Sequence, residues 1–390
     1  VVSPSESQQQ WRSVREYLNE NRFALTQRAV RAFPDDLRVA GTPLLARPAW
    51  LPAAPVPLAD VRLDWRGDGA LAPITGGEPE LGHILPRQDG GAPVHSYAAA
   101  VEALARPRLF ENRSCYRLLA ADAAGEAPVL GFGRGQYFDV INICEASAHE
   151  YAAAALAAPG DSSPPASQMP FRAAVGDPTD LARRPVMAAI STLAIRHDRK
   201  TGEAEFILHW RDPAKVATGG NLHQVMPVGM FQPSHDAPWN ETNDFGLWQS
   251  IVRELSEELL GSSEEYGSDK APIDYAAWPF NAALQEARDA GRLHVCWLGL
   301  GIDPLTYVCD MLTVAVFDAD LFDTAFPRLT ATNDEGHLVT VEDSTGRSVG
   351  IPFRADHVER LTTQEQMQPA GAALLRLAWE HRSALLASPE

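Results

Sequence analysis

Arg253-Glu254-Leu255-Ser256-Glu257-Glu258-Leu259-Leu260-Gly261 is the stretch on which the reading of this chain turns. On an α-helix, Glu258 lies about 40° to one side of Glu254 and Glu257 about 60° to the other, so three carboxylates share one flank. Like charges at this spacing destabilise a helix, and a hard divalent cation held by carboxylate oxygens relieves the repulsion. Trp248, Ile251, Val252, Leu255 and Leu259 fall on an adjoining stripe about 100° wide. One helix with a core face and a metal-binding flank is therefore predicted. Asn243 or Asp244 is placed to cap its N-terminus, and Gly261 to take the left-handed C-terminal cap.

Working outward, Val186 to His197 and Ala204 to Trp210 read as a hairpin about the turn Asp198 to Gly202. A third strand, Asn221 to Val228, ends at Pro227-Val228-Gly229. The polar loop Gln232 to Asp244 leads into the helix and is long enough to act as a lid. Ala282 to Ala290 reads as a helix, His294 to Ile302 and Val308 to Phe317 as strands, and Ala370 to Leu386 as an amphipathic helix. Strands on both sides of a central helix predict an α+β or mixed α/β fold.

Towards the N-terminus, Trp11, Val14, Leu18, Leu25 and Ala29 recur at helical intervals. Pro43 to Pro57 reads as an extended segment lying on a domain surface. Ser114 to Leu119 and Val129 to Ile143 read as strands, with Gly131, Gly133 and Gly135 marking a bulge or bend rather than a phosphate loop, because strand and not helix is expected to follow. Glu145 to Ala158 reads as a helix carrying Glu145, His149 and Glu150, in which Glu145 and His149 are i,i+4 neighbours that could share a metal but are expected as a pair on an exposed polar face. Pro159 to Gln168 is rich in Ser, Pro and Ala and marks a boundary. The expected organisation is an accessory N-terminal α+β domain over 1–165, a linker over 166–185, a second domain over 186–330, and C-terminal strands and helix packed on the core over 331–390.

With 390 residues and a net charge of −18, the chain is long enough for two or three domains and ill suited to wide contact with a nucleic-acid polymer. A free nucleotide stays open, since a bound cation reverses the local field. Cys115, Cys144, Cys296 and Cys309 are far apart and show neither zinc nor disulfide spacing. No apolar run long enough to span a membrane is present. Val1-Val2-Ser3-Pro4 shows no secretion signal and, without an initiator methionine, is expected to be a processed or trimmed start. A cytoplasmic location is expected.

Arg253, Glu254, Leu255, Ser256, Glu257 and Glu258 resemble the second half of the Nudix box, and the order of surrounding elements is similar to the Nudix fold, an α/β/α sandwich around a mixed sheet. The resemblance implies that Glu254, Glu257 and Glu258 bind Mg2+ or Mn2+. It implies that Arg253 braces the helix through a carboxylate, and an i,i+4 ion pair to Glu257 is compatible with the geometry. The implied activity is hydrolysis of a diphosphate in a nucleoside diphosphate derivative, with the metal activating water and neutralising charge on the leaving phosphate. At the family's spacing, the upstream glutamate and glycine fall on Phe245 and Trp239. Gly229 would serve as the glycine if the loop were longer, and Glu241 or Asp244 as the carboxylate. The closing glycine comes one residue late, at Gly261.

Four readings stay open: a hydrolase, a nucleotide-binding or sensor protein of the same fold with little turnover, a metal enzyme of other chemistry, and an acidic surface helix. Arg196, Arg211, Gln224, Met226, Met230 and Trp239 are the candidate substrate contacts, with Trp239 placed to stack on a base. Trp248 belongs to the apolar stripe. The expected partner is a small nucleotide-type molecule, and the N-terminal part is expected to complete the pocket or to mediate a homodimer.

Overall fold

The computed structural model describes residues 3–108, 110–124, 127–211, 221–263, 266–327, 336–339, 341–342 and 348–387. Helix α1 (Pro4–Ala29) opens the chain and is followed by β1 (Val56–Pro57), β2 (Arg62–Trp65), α2 (Tyr97–Leu104), β3 (Ser114–Asp122) and β4 (Val129–Gln136). Next come α3 (Tyr137–Val140), a π turn (Ile141–Glu145), α4 (Ala146–Ala157), α5 (Pro170–Val175), β5 (Ala188–Asp198), β6 (Glu203–Phe206), β7 (Leu208–Arg211), β8 (His223–Val225) and β9 (Val228–Met230). Then follow α6 (Asn240–Asn243), α7 (Leu247–Leu260), α8 (Pro279–Asp289), β10 (Leu293–Ile302), β11 (Cys309–Asp318) and α9 (Ala319–Ala325). Short strands β12 (Gly336–Val339), β13 (Val341–Glu342), β14 (Ser348–Val349) and β15 (Ile351–Pro352) precede α10 (Ala355–Thr363), α11 (Pro369–Glu380) and α12 (Arg382–Leu385). Among the described residues no helix is long and apolar enough to cross a membrane.

The main sheet runs β1-β10-β11-β5-β6-β15, with β9 also paired to β5. Its centre is the parallel pair β5–β11, in register from Ala188↔Cys309 to His197↔Asp318. Every residue from Ala188 to Ile195 is buried, as expected of an apolar run in a sheet covered on both faces. The other edge of β5 is shared: β9 takes Ala189 to Ser191 and β6 takes Ile195 to Asp198, both antiparallel. Parallel and antiparallel strands in one sheet, with helices packed on it, make the fold mixed α+β. Smaller sheets are β12-β7-β8, β2-β4-β3 and the pair β13-β14.

Three expectations need correction. Strand β4 stops at Gln136, where a capping box with Asp139 starts α3, and the apolar run Val140 to Cys144 is helical. A short apolar run has no period that distinguishes strand from buried helix. The three glycines lie within β4, where neighbours press close: a Cβ on Gly133 would sit 2.4 Å from the Gly67 carbonyl oxygen.

Residues 166–185, expected as a linker, carry α5 with Phe171 and Val175 fully buried. Arg172 donates to the carbonyls of Pro304 and Leu305, and Arg184 to that of Tyr307. The amides of Tyr116 and Leu118 in β3 bond to Phe231 and Val186, and β1 pairs with β10. The larger of two hydrophobic clusters draws residues from Trp11 to Leu385, and a second joins α1 to α4. The Ser/Pro-rich composition therefore marks a surface loop beside α5.

Glu145 and His149 are buried, not on an exposed polar face, and Glu150 is buried beside them. Glu145 accepts from Arg22 at 2.9 and 3.2 Å and also from Arg15, both on α1. Burial alone would raise its pKa, but Arg22 and Arg15 outweigh that and hold it at about 2. His149 lies 3.0 Å from the Tyr97 hydroxyl and stacks on Trp11. Burial, reinforced by Arg15, lowers its pKa to about 3, so the imidazole is neutral. Glu150 accepts from the amides of Phe171 and Arg172 and so holds the start of α5. The alanine-rich surroundings gave no periodicity to reveal this burial, and the arginine partners come from a distant helix.

Candidate functional site

Helix α7 buries Ile251, Val252, Leu255 and Leu259 of the predicted apolar stripe, and also Leu247, which lies outside that prediction. Trp248 is half-buried, donates to Asn281 at 2.9 Å and lies under the Arg288 guanidinium at 4.5 Å. The helix ends as expected, with Gly261 at φ 68° and ψ 26° and its amide bonded to the Glu257 carbonyl. Its N-terminal cap is Gly246, with no side-chain bond. Asp244 is unavailable as a cap because it is fully buried and engaged elsewhere. It accepts from the Ser234 amide and hydroxyl at 2.7 and 2.6 Å, from Tyr275 at 2.9 Å and from Asn243 at 3.1 Å.

The glutamate flank faces strand β9. Glu254 lies flush against Gly229: a Cβ there would sit 1.7 Å from Glu254 Oε1. Only glycine leaves room for this approach. One turn on, Glu258 is buried, and its Oε1 accepts from the Val228 amide at 3.3 Å. Glu254 and Glu258 thus meet two consecutive residues of the Pro227-Val228-Gly229 turn. Glu257 accepts instead from the Tyr266 hydroxyl at 2.7 Å. Burial first and Glu257 second push the Tyr266 phenol well above its ordinary range, so it remains a donor.

Arg253 is buried and directs its donors to backbone carbonyls, Gln232 at 2.7 Å and Gln249 at 3.3 Å. The brace through a carboxylate that the resemblance implies is not what forms: Arg253 ties α7 to the loop after β9 through the Gln232 carbonyl, and Glu257 is engaged by Tyr266. Burial opposes the charge of Arg253, but Tyr275, Asp244, Glu254 and Glu257 outweigh it and raise its pKa.

Carboxylates are the right donors for a hard cation, and two of them converge on one turn. Among the described residues, no three His, Cys, Asp or Glu side chains gather as a metal-ligand group. Neither candidate for the fourth carboxylate adds to the pair. Asp244 is saturated as described, and Glu241 is held by Arg134, which also reaches Asp68. Phe245, where the family pattern places a glutamate, packs among the rings of Trp65, Tyr116, Phe132 and Phe231. This aromatic cluster joins the N-terminal strands to the approach to α7.

The expected substrate contacts disperse. Arg196 lies on the half of β5 paired with β6, away from β9, and its guanidinium forms two 2.8 Å bonds to Asp323. Gln224 is buried and donates to Gln368 at 3.1 Å, and Met226 is fully buried. Met230 is half-buried opposite Ala189. The side chain of Arg211 lies outside the described residues. Trp239 is 42% exposed and donates to the Ser268 carbonyl at 3.0 Å, so one face remains open. A hollow of about 270 Å³ near the start of α7 is lined by Val61, Leu63, Phe245, Trp248, Gln249 and Arg288. It lies roughly 8–10 Å along the helix axis from Glu254, away from the carboxylates.

Sequence reasoning missed Tyr266, Tyr275 and the ring cluster around Phe245. Tyr266 stands in an acidic loop without period, and its role shows only once the loop folds back on α7. No protein-family model matches the chain, and no curated protein is significantly similar to it.

Proposed function

We propose that this chain is a divalent-cation-dependent protein of Nudix-like architecture, acting on a diphosphate in a nucleoside diphosphate derivative. The supporting observation is that Glu254 and Glu258 sit against Gly229 and Val228, the glycine turn that precedes the glutamate helix in the family pattern. Glu254 and Glu258 would hold Mg2+ or Mn2+, with Glu257 as the third carboxylate. The cation would supply charge neutralisation on the phosphates and a lowered pKa for attacking water. Arg253 fixes α7 to the loop after β9, and Trp239 offers an exposed face for a base. A small nucleotide-type partner and a cytoplasmic setting belong to the same reading, as does a layered sandwich.

A second reading, nucleotide binding with little turnover, is favoured by Phe245. The upstream carboxylate is replaced by a packed ring, and Glu241 and Asp244 are engaged elsewhere. One experiment tests both. A panel of nucleoside diphosphate derivatives is incubated with Mg2+ or Mn2+ and assayed for phosphate-containing products, with Glu258→Gln as the control. Turnover abolished in that variant supports the hydrolase. Nucleotide-dependent melting shifts without turnover support the binding protein. Absence of metal, nucleotide and catalytic responses refutes both.

A further inference from the structure

The loop after α7 returns across the helix and is fastened to the segment before it. The Ser268 carbonyl accepts from Trp239 and Asn240 at 3.0 and 2.9 Å, and the Ile273 carbonyl accepts from Asn243 at 3.0 Å. Tyr275 donates to Asp244 at 2.9 Å. From this fastened loop Tyr266 reaches the glutamate flank. Its ring packs edge-on against Trp278, 5.5 Å between centroids, and its hydroxyl lies 2.7 Å from Glu257 Oε1 and 3.2 Å from the Arg253 carbonyl.

The geometry separates the three carboxylates. Glu254 and Glu258 face the β9 turn, while Glu257 is oriented by a phenol on another segment. All three lie on one flank of a single helix, about 60° and 40° from Glu254, so a side-chain rotation suffices to bring them together. That rotation breaks the Tyr266 bond.

We infer that Tyr266 is a latch: its hydrogen bond to Glu257 holds the third carboxylate away from Glu254 and Glu258, and cation binding to α7 releases residues 266–278. The inference rests on α7 being the metal helix. Tyr266 is a positioning residue that acts through Glu257. The bonds at Ser268, Ile273 and Tyr275 are separate from the latch, so the movement begins at the Tyr266 end of the loop and spreads through the segment as they loosen. Cation binding would thereby alter the segment that carries the partners of Trp239.

The test compares Mn2+ binding by calorimetry to wild type, Tyr266→Phe, Tyr275→Phe and Glu258→Gln. Tyr266→Phe keeps the ring on Trp278 and removes only the hydroxyl. It is expected to bind Mn2+ at least about tenfold more tightly, the scale set by losing a hydrogen bond to a charged group. Tyr275→Phe, whose hydroxyl serves Asp244, is expected to leave the affinity unchanged, and Glu258→Gln to lose it. In amide hydrogen exchange, Mn2+ should accelerate residues 266–278 in wild type and add nothing in Tyr266→Phe.

If wild type and Tyr266→Phe bind equally while Glu258→Gln does not bind, the latch is refuted and the metal helix stands. If Tyr275→Phe tightens binding as much as Tyr266→Phe, general loosening of the loop replaces the latch. Binding that survives in Glu258→Gln, or its absence from every form, removes the metal helix and the latch with it.

Discussion

Replacing Gly229 by alanine puts a methyl carbon 1.7 Å from Glu254 Oε1 and 2.0 Å from its carboxyl carbon. Non-bonded carbon contacts settle near 3.5–4.0 Å, so the carboxylate must retreat by roughly 2 Å. Metal–oxygen distances tolerate only about 0.2 Å, and a carboxylate displaced that far ceases to be a ligand. The fold should hardly register the change. Gly229 lies in β9 outside the left-handed region, and alanine restricts the unfolded chain, contributing about 0.4–1 kcal/mol. Moving the half-buried Glu254 side chain off its preferred rotamer costs a similar amount, about 0.5–1.5 kcal/mol.

Gly229→Ala is therefore expected to keep its unfolding free energy within about 1 kcal/mol of wild type. Its Mn2+ affinity should fall at least about tenfold, or 1.4 kcal/mol. Calorimetric Mn2+ titration and urea unfolding on the same preparations measure the two effects. Unchanged affinity in a folded variant would show that Glu254 is not a ligand. A loss of several kcal/mol of stability would show that Glu254 is locked in place and the displacement argument is wrong.

Other consequences follow from the buried charges. Glu145→Ala leaves Arg15 and Arg22 without their buried partner and should cost about 3–5 kcal/mol in urea unfolding; a loss below about 1 kcal/mol would mean that water reaches the arginines. Acid should destabilise the fold in two stages. His149 has a folded pKa of about 3 against 6.5, so the unfolded chain takes up a proton that the native imidazole refuses, and stability falls as pH drops below 6.5. Glu145, held at about 2 against 4.5, stabilises the fold above 4.5, and that contribution is lost as pH falls towards 2. Melting temperature measured against pH should decline below about pH 6.5, with the first stage reduced in His149→Gln and the remainder carried by His197, His223 and His294, whose pKa values burial also lowers.

What the sequence disclosed depended on how locally each feature is determined. β5 and β11 were legible because both are continuous apolar runs, and α7 because its stripe and Gly261 agree on one helix. Residues 137–145 were not, since Val140, Ile141, Ile143 and Cys144 are buried in a helix that presents no polar side to set the period. The fates of Glu145 and Glu150 are decided by Arg15, Arg22 and the start of α5, far away in the chain. Glu254 and Glu258 were legible as a pair on one flank, but their contact with Gly229 and Val228 needed the folded turn. The division of that flank by Tyr266 needed the return of a loop that has no regular pattern.

Val56 and Pro57 occupy only two positions, yet they close the outer side of β10 at Trp297 and Cys296. Pro57 has no amide hydrogen to offer, so the added strand ends the hydrogen-bonding ladder instead of extending it. A fragment trimmed to residues 186–330 would leave β10 as an open edge. It would also lose Trp65, Tyr116 and Phe132 from the rings around Phe245. Intermolecular strand pairing is the natural outcome of such an edge, so that fragment is expected to self-associate when produced alone.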